Sequence, residues 1–261
     1  MEIRFYKYQG AGNDFIILDN RSGEYDRLQV PQIHLLCDRR FGIGADGLMM
    51  LNQHPTLSFE MKYFNADGKE GSLCGNGGRC IAAFAHQLGL IDKKAVFEAV
   101  DGPHEAVLTE KDWVELKMND VTAIERGYDF AILDTGSPHY VKYADQVEEL
   151  DVVSRGKAIR YSERFAAEGI NVNFVEYGSE SLLIRTYERG VEDETLACGT
   201  GITAAAIVVA GNQNRGYTIP VKAKGGELKV RYEKLNDQHF TNIWLCGPAT
   251  FVYEGKINLD V

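Results

Sequence analysis

The chain has 261 residues, of which 44% are hydrophobic, and this is enough apolar material for two domains of about 100–150 residues each. Its net charge is −10 and its basic residues are scattered, which argues against a nucleic acid or an anionic membrane as partner. No apolar run reaches the about 18 residues of a membrane span, and the N-terminus lacks the apolar core of a signal peptide. We therefore expect a cytoplasmic protein without a membrane partner.

Alternating and apolar stretches predict β-strands along the whole chain. In the first half these are Glu2 to Tyr8, Phe15 to Asp19, Gly47 to Leu51, Phe59 to Phe64, Ala95 to Val100, Glu105 to Leu108 and Trp113 to Met118. In the second half they are Tyr128 to Leu133, His139 to Tyr143, Asn171 to Tyr177, Leu182 to Tyr187, Thr218 to Ala223, Glu227 to Tyr232, Asn242 to Cys246 and Thr250 to Ile257. Helices are predicted from just after Pro31 to about Phe41 and from about Ser154 to Ala167, and a loop from Asn65 to Leu73 follows the fourth strand.

Two similar turns carry the strongest signal, Cys74-Gly75-Asn76-Gly77 and Cys198-Gly199-Thr200-Gly201. Each is followed by a run of small residues that predicts a buried helix. A cysteine at a helix N-terminus lies close to backbone N–H groups and to the positive end of the helix dipole, which stabilise a thiolate or a bound carboxylate. The pair therefore predicts two thiols that face one anion.

The similarity extends well beyond the two turns. The cysteines are 124 positions apart (198 − 74), and the same shift aligns Gly12-Asn13-Asp14-Phe15 with Gly136-Ser137-Pro138-His139, Arg40-Phe41 with Arg164-Phe165, Gly47 with Asn171, Tyr63 with Tyr187, and Asn65 with Arg189. We interpret this as two copies of one α/β unit related by a pseudo-two-fold axis, with a site in the cleft between them. The predicted lobes are residues 1–119 together with 249–261, completed by the returning last strand, and residues 120–248.

The five cysteines, at positions 37, 74, 80, 198 and 246, are an odd number in a chain without a secretion signal, so we expect reduced thiols. No clustered thiol and imidazole ligands suggest zinc, and we expect no structural metal. Cys37, Cys80 and Cys246 are interpreted as small buried apolar residues.

Two opposed thiols suit one reaction in particular, in which a proton is removed from one face of a carbon and delivered to the other face. An ordinary thiol pKa of about 8.5 allows one cysteine to act as thiolate and the other as thiol. The N–H groups of Gly75-Asn76 and of Gly199-Thr200 would bind a carboxylate beside the developing carbanion. The motif pair thus predicts inversion of a stereocentre without a cofactor.

Several motifs together resemble the diaminopimelate epimerase family. They are Asn13, Tyr63-Phe64-Asn65-Ala66-Asp67-Gly68, Cys74-Gly75-Asn76-Gly77-Gly78-Arg79-Cys80, Ser137-Pro138-His139, Tyr187-Glu188-Arg189-Gly190 and Ala197-Cys198-Gly199-Thr200-Gly201. The resemblance covers almost the whole chain. It implies two similar α/β (α+β) lobes, each a mixed sheet wrapped around a central helix, in a homodimer. It also implies an isomerase that interconverts LL- and meso-2,6-diaminoheptanedioate for lysine and peptidoglycan precursor synthesis, without a cofactor.

The resemblance also assigns roles by position. Cys74 and Cys198 correspond to the catalytic pair, and His139 and Glu188 lie near the catalytic centre. The substrate ligands implied are Asn13, Asn65, Gly75, Asn76, Asn171, Glu188, Arg189, Gly199 and Thr200. The chain departs from the family pattern at Gly47, where many members have Gln, and at Ser137, where many have Asn. Side-chain contact with the substrate at these two positions is therefore open.

Two other functions fit parts of the sequence. Proline and hydroxyproline racemases share Cys-Gly-Thr-Gly, but they resemble Cys-Gly-His-Gly at the other cysteine, where this chain has Asn76, and proline has no second charged head for Glu188 and Arg189 to bind. A non-catalytic redox or anion-binding module would also use two thiols. Such a module would not require two glycine-rich anion cradles.

Overall fold

The computed structural model describes residues 1–71, 74–109, 112–178 and 180–259. The first half contains β1 (Glu2–Gly10), β2 (Asn13–Asp19), α1 (Val30–Cys37), β3 (Gly47–Asn52), β4 (Phe59–Asn65), α2 (Gly75–Gln87), β5 (Lys94–Ala99), β6 (Gly102–Leu108) and β7 (Trp113–Lys117). The second half contains β8 (Ile124–Arg126), β9 (Phe130–Asp134), β10 (Pro138–Tyr143), α3 (Val152–Arg160), β11 (Asn171–Tyr177), β12 (Leu182–Glu188), β13 (Asp193–Thr195), α4 (Gly199–Val208), β14 (Gly216–Ala223), β15 (Gly226–Lys234) and β16 (Phe240–Pro248), and the last strand is β17 (Thr250–Asn258). The predicted loop from Asn65 to Leu73 ends on Ser72 and Leu73, which lie outside the described residues.

The chain divides into two compact units, Met1–Leu116 with Gly247–Val261, and Lys117–Cys246. In the first unit β17 and β2 flank β1 as antiparallel neighbours, β3 is parallel to β2, and β4 is antiparallel to β3. The sheet then continues through β5, which is parallel to β4, to β6 and β7, which are antiparallel. The last strand, β17, thus lies beside the first strand of the chain.

The second unit repeats this sheet. Antiparallel β8, β9 and β10 are followed by β11, which is parallel to β10, and by antiparallel β12. Strand β14 is parallel to β12, and β15 and β16 follow as antiparallel neighbours. The mixed α+β class is confirmed for both units.

One helix in each unit is buried nearly all round. Helix α2 contacts strands β1, β2, β3 and β6, and α4 contacts β9, β10, β11, β12, β14 and β15. Almost every residue of α4 is buried, as is the first half of α2. A helix that is apolar or small on all sides must lie in a core, and here the sheet wraps around it.

The other faces of the sheets pack against the outer helices. Ile33 and Leu36 of α1 share a core with Leu48 and Met50 of β3. Because successive side chains of a strand point to opposite faces, Met49 faces the other way, and its Sδ would lie 3.1 Å from a Cβ added at Gly77 of α2. Burial on both faces explains why β3 is apolar throughout.

Both outer helices are shorter than the sequence predicted. Helix α1 ends at Cys37 instead of about Phe41, because Asp38 turns to extended backbone and its Oδ1 accepts the N–H groups of Arg40 and Phe41, both at 2.7 Å. Helix α3 begins at Val152, after the N-cap Asp151, and ends at Arg160. The three-residue strands β8 and β13 were not predicted.

The repeat does not run without a gap. The parallel pair His139↔Asn171 of the second unit corresponds to Phe15↔Gly47 of the first unit, and both residues lie 124 positions further along the chain. The antiparallel pair Asn173↔Thr186 corresponds to Met49↔Tyr63, but Thr186 lies only 123 positions after Tyr63. Strand β12 is therefore displaced by one residue, and the sequence alignment of Tyr63 with Tyr187 was wrong by one position.

Candidate active site

Cys74 is the N-cap of the buried helix α2. Its backbone is extended, with φ −94° and ψ 121°, and its carbonyl accepts the N–H of Gly78 at 2.7 Å, which begins the helix. Gly75 and Asn76, the predicted cradle, are the first two helical residues and are buried. The N–H groups of a first helical turn have no acceptor within the helix, so this end of α2 is suited to an anion.

The structure brings three predicted residues together at this thiol. Cys74 Sγ donates to Asn13 Oδ1 at 3.5 Å, and Asn76 Nδ2 donates to the same oxygen at 3.3 Å. Asn13 is the first residue of β2, directly after the tight turn at Gly12, where φ is +83°. The glycine-rich turn thus places an amide beside the cysteine.

Charged residues that the sequence analysis missed hold this group. Asp46 Oδ2 accepts from Asn13 Nδ2 at 2.6 Å, and Asp46 Oδ1 accepts from Arg39 Nη2 at 2.8 Å. Arg79, fully buried, donates from Nη2 to Asn76 Oδ1 at 2.9 Å. A sequence signal for Arg79 existed, because it is a lone cation in a small-residue helix.

Gly47 and Asn65 are register partners at the ends of β3 and β4. A Cβ at Gly47 would lie 2.6 Å from Cε2 of Tyr63, so this ring occupies the space that a side chain would need. Gly47 therefore offers only backbone here. Asn65 is exposed at the end of its strand.

Cys198 is the N-cap of α4, with the same extended backbone, φ −106° and ψ 111°. It is 8% exposed, and its Sγ lies 3.5 Å from Thr200 Oγ1, where either atom can donate. Thr135 Oγ1 donates to the Thr200 carbonyl at 2.8 Å, and Thr203 Oγ1 donates to that of Gly199 at 3.0 Å. The second cradle, Gly199 and Thr200, is thus fixed by two hydroxyl groups.

Ser137, Asn171 and Arg189 form one polar cluster in this unit. Asn171 donates to Ser137 Oγ at 2.9 Å and accepts the backbone N–H of Arg189 at 2.9 Å. The Arg189 guanidinium is exposed, and it donates to Ser137 Oγ at 3.5 Å and to the carbonyl of Glu168 at 3.1 Å. The shorter Ser137 therefore still joins the predicted ligands.

Glu188 is the last residue of β12. Its Oε2 accepts from the Thr195 hydroxyl at 2.8 Å, next to the short strand β13, which pairs with the end of β12. Glu188 and Arg189 therefore have different environments. The Glu188 carboxylate is half-buried between strands, and the Arg189 guanidinium is exposed.

His139 is fully buried in β10. Asn173 Nδ2 lies 3.1 Å from its Nδ1, and Thr186 donates to Asn173 Oδ1 at 2.9 Å. Asn173 Nδ2 also donates to the Tyr140 carbonyl at 3.2 Å, which can only accept. The amide nitrogen therefore faces His139 Nδ1, which accepts, and the proton of the neutral ring is assigned to Nε2. Burial, with a smaller contribution from the Arg189 cation, lowers the pKa of His139 to about 3.

The remaining cysteines have different surroundings. Burial raises the pKa of Cys37 and of Cys80 to about 12, and Cys246 is fully buried. The Cys37 and Cys80 thiols therefore stay protonated at neutral pH. Within the described ranges no group of three His, Cys, Asp or Glu side chains is arranged to hold a metal ion, and none of the helices there could cross a membrane.

Comparison with known proteins gives matches over the whole chain. A diaminopimelate epimerase family model matches residues 5–124 and 131–252. The diaminopimelate epimerase of Flavobacterium psychrophilum is 47% identical over 257 residues, which cover 98% of this chain and 100% of that protein.

Solved structures share the fold at low identity. A Bacillus anthracis phenazine biosynthesis protein of the PhzF family has a TM-score of 0.76 at 12% identity, covering 99% of this chain and 100% of that one. A hydroxyproline epimerase from Agrobacterium vitis has a TM-score of 0.72 at 13% identity, covering 100% and 93%. These two likenesses concern the fold alone. The family model matches most of the chain and the Flavobacterium relative is 47% identical over its full length, and this chain therefore belongs to the diaminopimelate epimerase family.

Proposed function

We propose that the protein interconverts LL- and meso-2,6-diaminoheptanedioate by a two-base reaction of Cys74 and Cys198. Membership of the family supports the substrate and the reaction class. The observation that carries the mechanism is that both cysteines are N-caps of buried helices, with the same backbone conformation, in two copies of one unit.

The difficult step is removal of the α-proton next to a carboxylate. In this proposal the thiolate of one cysteine takes the proton as the Cα–H bond breaks. The thiol of the other cysteine gives its proton to the opposite face, so atoms and charge balance and the stereocentre inverts. The N–H groups of Gly75-Asn76 and Gly199-Thr200 hold the carboxylate as negative charge develops, each donor contributing about 2.7–4 kcal/mol.

The unreacting end of the substrate carries an ammonium and a carboxylate. Lysine lacks the distal carboxylate, and proline has no distal charged group. We assign Glu188 and Arg189, with Asn65 and Asn171, to this end, because a guanidinium can grip a carboxylate with two parallel hydrogen bonds. His139 is neutral and has its proton on Nε2. It therefore acts near the centre as a hydrogen-bond donor, and the bases are the cysteines.

We further propose a cytoplasmic homodimer that needs no cofactor. Support for self-association comes from β17, which presents Phe251, Val252 and Tyr253 with 41%, 51% and 44% of their surfaces exposed. Adjacent exposed apolar side chains of this kind mark interaction surfaces. Sedimentation equilibrium should give twice the chain mass of 29.1 kDa, and a single-chain mass at micromolar concentration would refute the dimer.

The function is tested in deuterated water with LL-diaminoheptanedioate, reduced enzyme, and no added pyridoxal phosphate or metal. Proton NMR should show loss of the α-proton signal together with formation of the meso isomer. Proline and lysine are the comparison substrates. Exchange with proline alone would indicate the racemase, and no exchange with any of the three would indicate a module without turnover.

A further inference from the structure

The amide of Asn13 lies between two neighbours whose hydrogen-bonding roles are fixed by ions. On one side is the Asp46 carboxylate, 2.6 Å from Asn13 Nδ2, which is itself bound by the Arg39 guanidinium at 2.8 Å. An ionised carboxylate can only accept hydrogen bonds. The nitrogen of the Asn13 amide must therefore face Asp46.

On the other side the same orientation is required. The buried guanidinium of Arg79 can only donate, and it lies 2.9 Å from Asn76 Oδ1. The Asn76 amide therefore directs its Nδ2 to Asn13 Oδ1, at 3.3 Å. The Asp46 carboxylate and the Asn76 amide thus require the same orientation of Asn13, with its oxygen towards Cys74 Sγ at 3.5 Å.

A carbonyl oxygen beside a cysteine accepts from a thiol and is repelled by a thiolate. We propose that Asp46, held by Arg39, is a positioning residue that keeps Asn13 Oδ1 on Cys74 and thereby retains the proton on this cysteine in the resting enzyme. The inference rests on the proposed acid–base role of Cys74. Thr200 does not fix the protonation state of Cys198 in this way, because its hydroxyl can donate to a thiolate or accept from a thiol.

Other charged and titratable groups surround Cys74 in this unit. Asp14 is bound by Lys7 and Arg39; burial raises its pKa, but these two cations outweigh that effect and hold the value at about 2. Cys80 stays protonated, because burial raises its pKa to about 12. Asp14 and Cys80 therefore each keep one charge state between pH 5 and pH 9, so they add a constant field while Cys74 titrates.

The test compares Asp46→Asn with Asp46→Ala, at a position whose carboxylate is 45% exposed. Both changes remove the same charge. In the Asn variant the amide oxygen takes the place of Asp46 Oδ2, because Asn13 Nδ2 and the backbone N–H of Asp14 both donate there, and Asn13 Oδ1 stays on the thiol. In the Ala variant Asn13 Nδ2 loses this acceptor, and with the 3.3 Å hydrogen bond from Asn76 as the remaining restraint the Asn13 amide can turn its nitrogen towards a Cys74 thiolate.

The readout is alkylation by iodoacetamide as a function of pH, measured by mass spectrometry of tryptic peptides. Cys74 is the lone cysteine of the peptide Glu70 to Arg79, and Cys198 is the lone cysteine of Gly190 to Arg215, which serves as the control within each sample. We expect the midpoint of Cys74 in Asp46→Ala to lie about one pH unit below that in Asp46→Asn, a tenfold change in the thiolate fraction. The Cys198 midpoint should be equal in both.

Equal midpoints of Cys74 in the two variants would overturn the proposal, as would a shift of the same size at Cys198. Alkylation requires no turnover. An enzyme that fails to exchange the α-proton of diaminoheptanedioate would therefore refute the proposed function without altering this result.

Discussion

The two cysteine turns share a backbone and differ in what surrounds it. Gly12 and Gly136, which are 124 positions apart, both have positive φ, at 83° and 105°, and the parallel pair Phe15↔Gly47 recurs as His139↔Asn171. The same tight turn therefore precedes a strand that contacts the buried helix in each unit, β2 beside α2 and β10 beside α4. What differs is the chemistry of the side chains placed on this common frame.

Around Gly77 of α2 the matching side chains are apolar or aromatic. Met49 Sδ would lie 3.1 Å from a Cβ at Gly77, and Phe15 and Tyr63 have their rings in edge contact, 6.2 Å between centroids. The Met49 and Phe15 side chains need no hydrogen-bond partners. The polar anchoring of Cys74 comes instead from the strand ends, through Asn13.

Around Gly201 of α4 the same positions hold His139, Asn173 and Thr186. A Cβ at Gly201 would lie 2.3 Å from Asn173 Oδ1 and 3.3 Å from His139 Cε1, so the network packs directly against the first turn of the helix. A buried polar network is costly unless every member is satisfied, and the other unit shows that apolar residues build the same fold. The fold itself therefore does not require this network, whose proposed role is in the reaction.

The most severe test of the comparison removes one thiol at a time. Because inversion needs both faces served, Cys74→Ala and Cys198→Ala should each lower kcat at least about a thousandfold, within the range of positioned acid–base groups. Circular dichroism should show both variants folded. Cys37→Ala, a change of a buried thiol outside the turns, is the matched control and should keep most of the activity. Either active-site variant with more than about a thousandth of wild-type turnover would contradict the two-base scheme.

A second test asks whether the second unit alone supplies charged recognition. Arg189→Met should leave the distal carboxylate of the substrate without its cation, at a cost of about 2–5 kcal/mol in kcat/KM. Because binding of the distal carboxylate also orients the reacting carbon, we expect kcat to fall and KM to rise. The measurement is kcat/KM for LL-diaminoheptanedioate against lysine.

Arg164→Met is the control for this substitution, since that arginine is half exposed and pairs with Glu125 in the same unit. It should change neither substrate's kcat/KM. If Arg189→Met leaves the ratio of the two substrates unchanged, the distal carboxylate is bound elsewhere.

The smallest expected effect concerns His139, which can be replaced by the residue of the other unit as His139→Phe. The pKa of His139 is lowered to about 3 from an ordinary 6.5, so the unfolded chain binds a proton that the folded protein does not. The stability of the wild type therefore falls as the pH drops below about 6.5, by about 1.4 kcal/mol per unit. Above pH 6.5 this contribution is constant.

Urea unfolding at pH 7 and pH 5 measures this effect. The wild type should lose about 2 kcal/mol more than His139→Phe between these values. His239→Gln, a change of an exposed histidine, should follow the wild type. Equal losses in wild type and His139→Phe would mean that His139 is not the group that resists protonation.

Most of the secondary structure was predictable because its causes are local. The alternation of β1 and β2, the apolar run of β3 and the small residues after each cysteine are properties of short segments. Helix ends were predicted less well, since the end of α1 depends on the Asp38 side chain and its two backbone partners. The one-residue displacement of β12 was missed because register is decided by which side chains must face the core.

The sequence by itself determined four features: the two turns, the buried helices, the internal repeat and the membership of the family. Glycines at tight turns and small residues at helix contacts can be recognised directly in a sequence. The tertiary structure decided which polar atoms face each thiol. Asp46 lies 33 positions from Asn13, and Asn173 lies 34 from His139. Such partners meet only after parallel strands have paired, and the direction of an amide is then set by donors and acceptors that no local pattern in the sequence brings together.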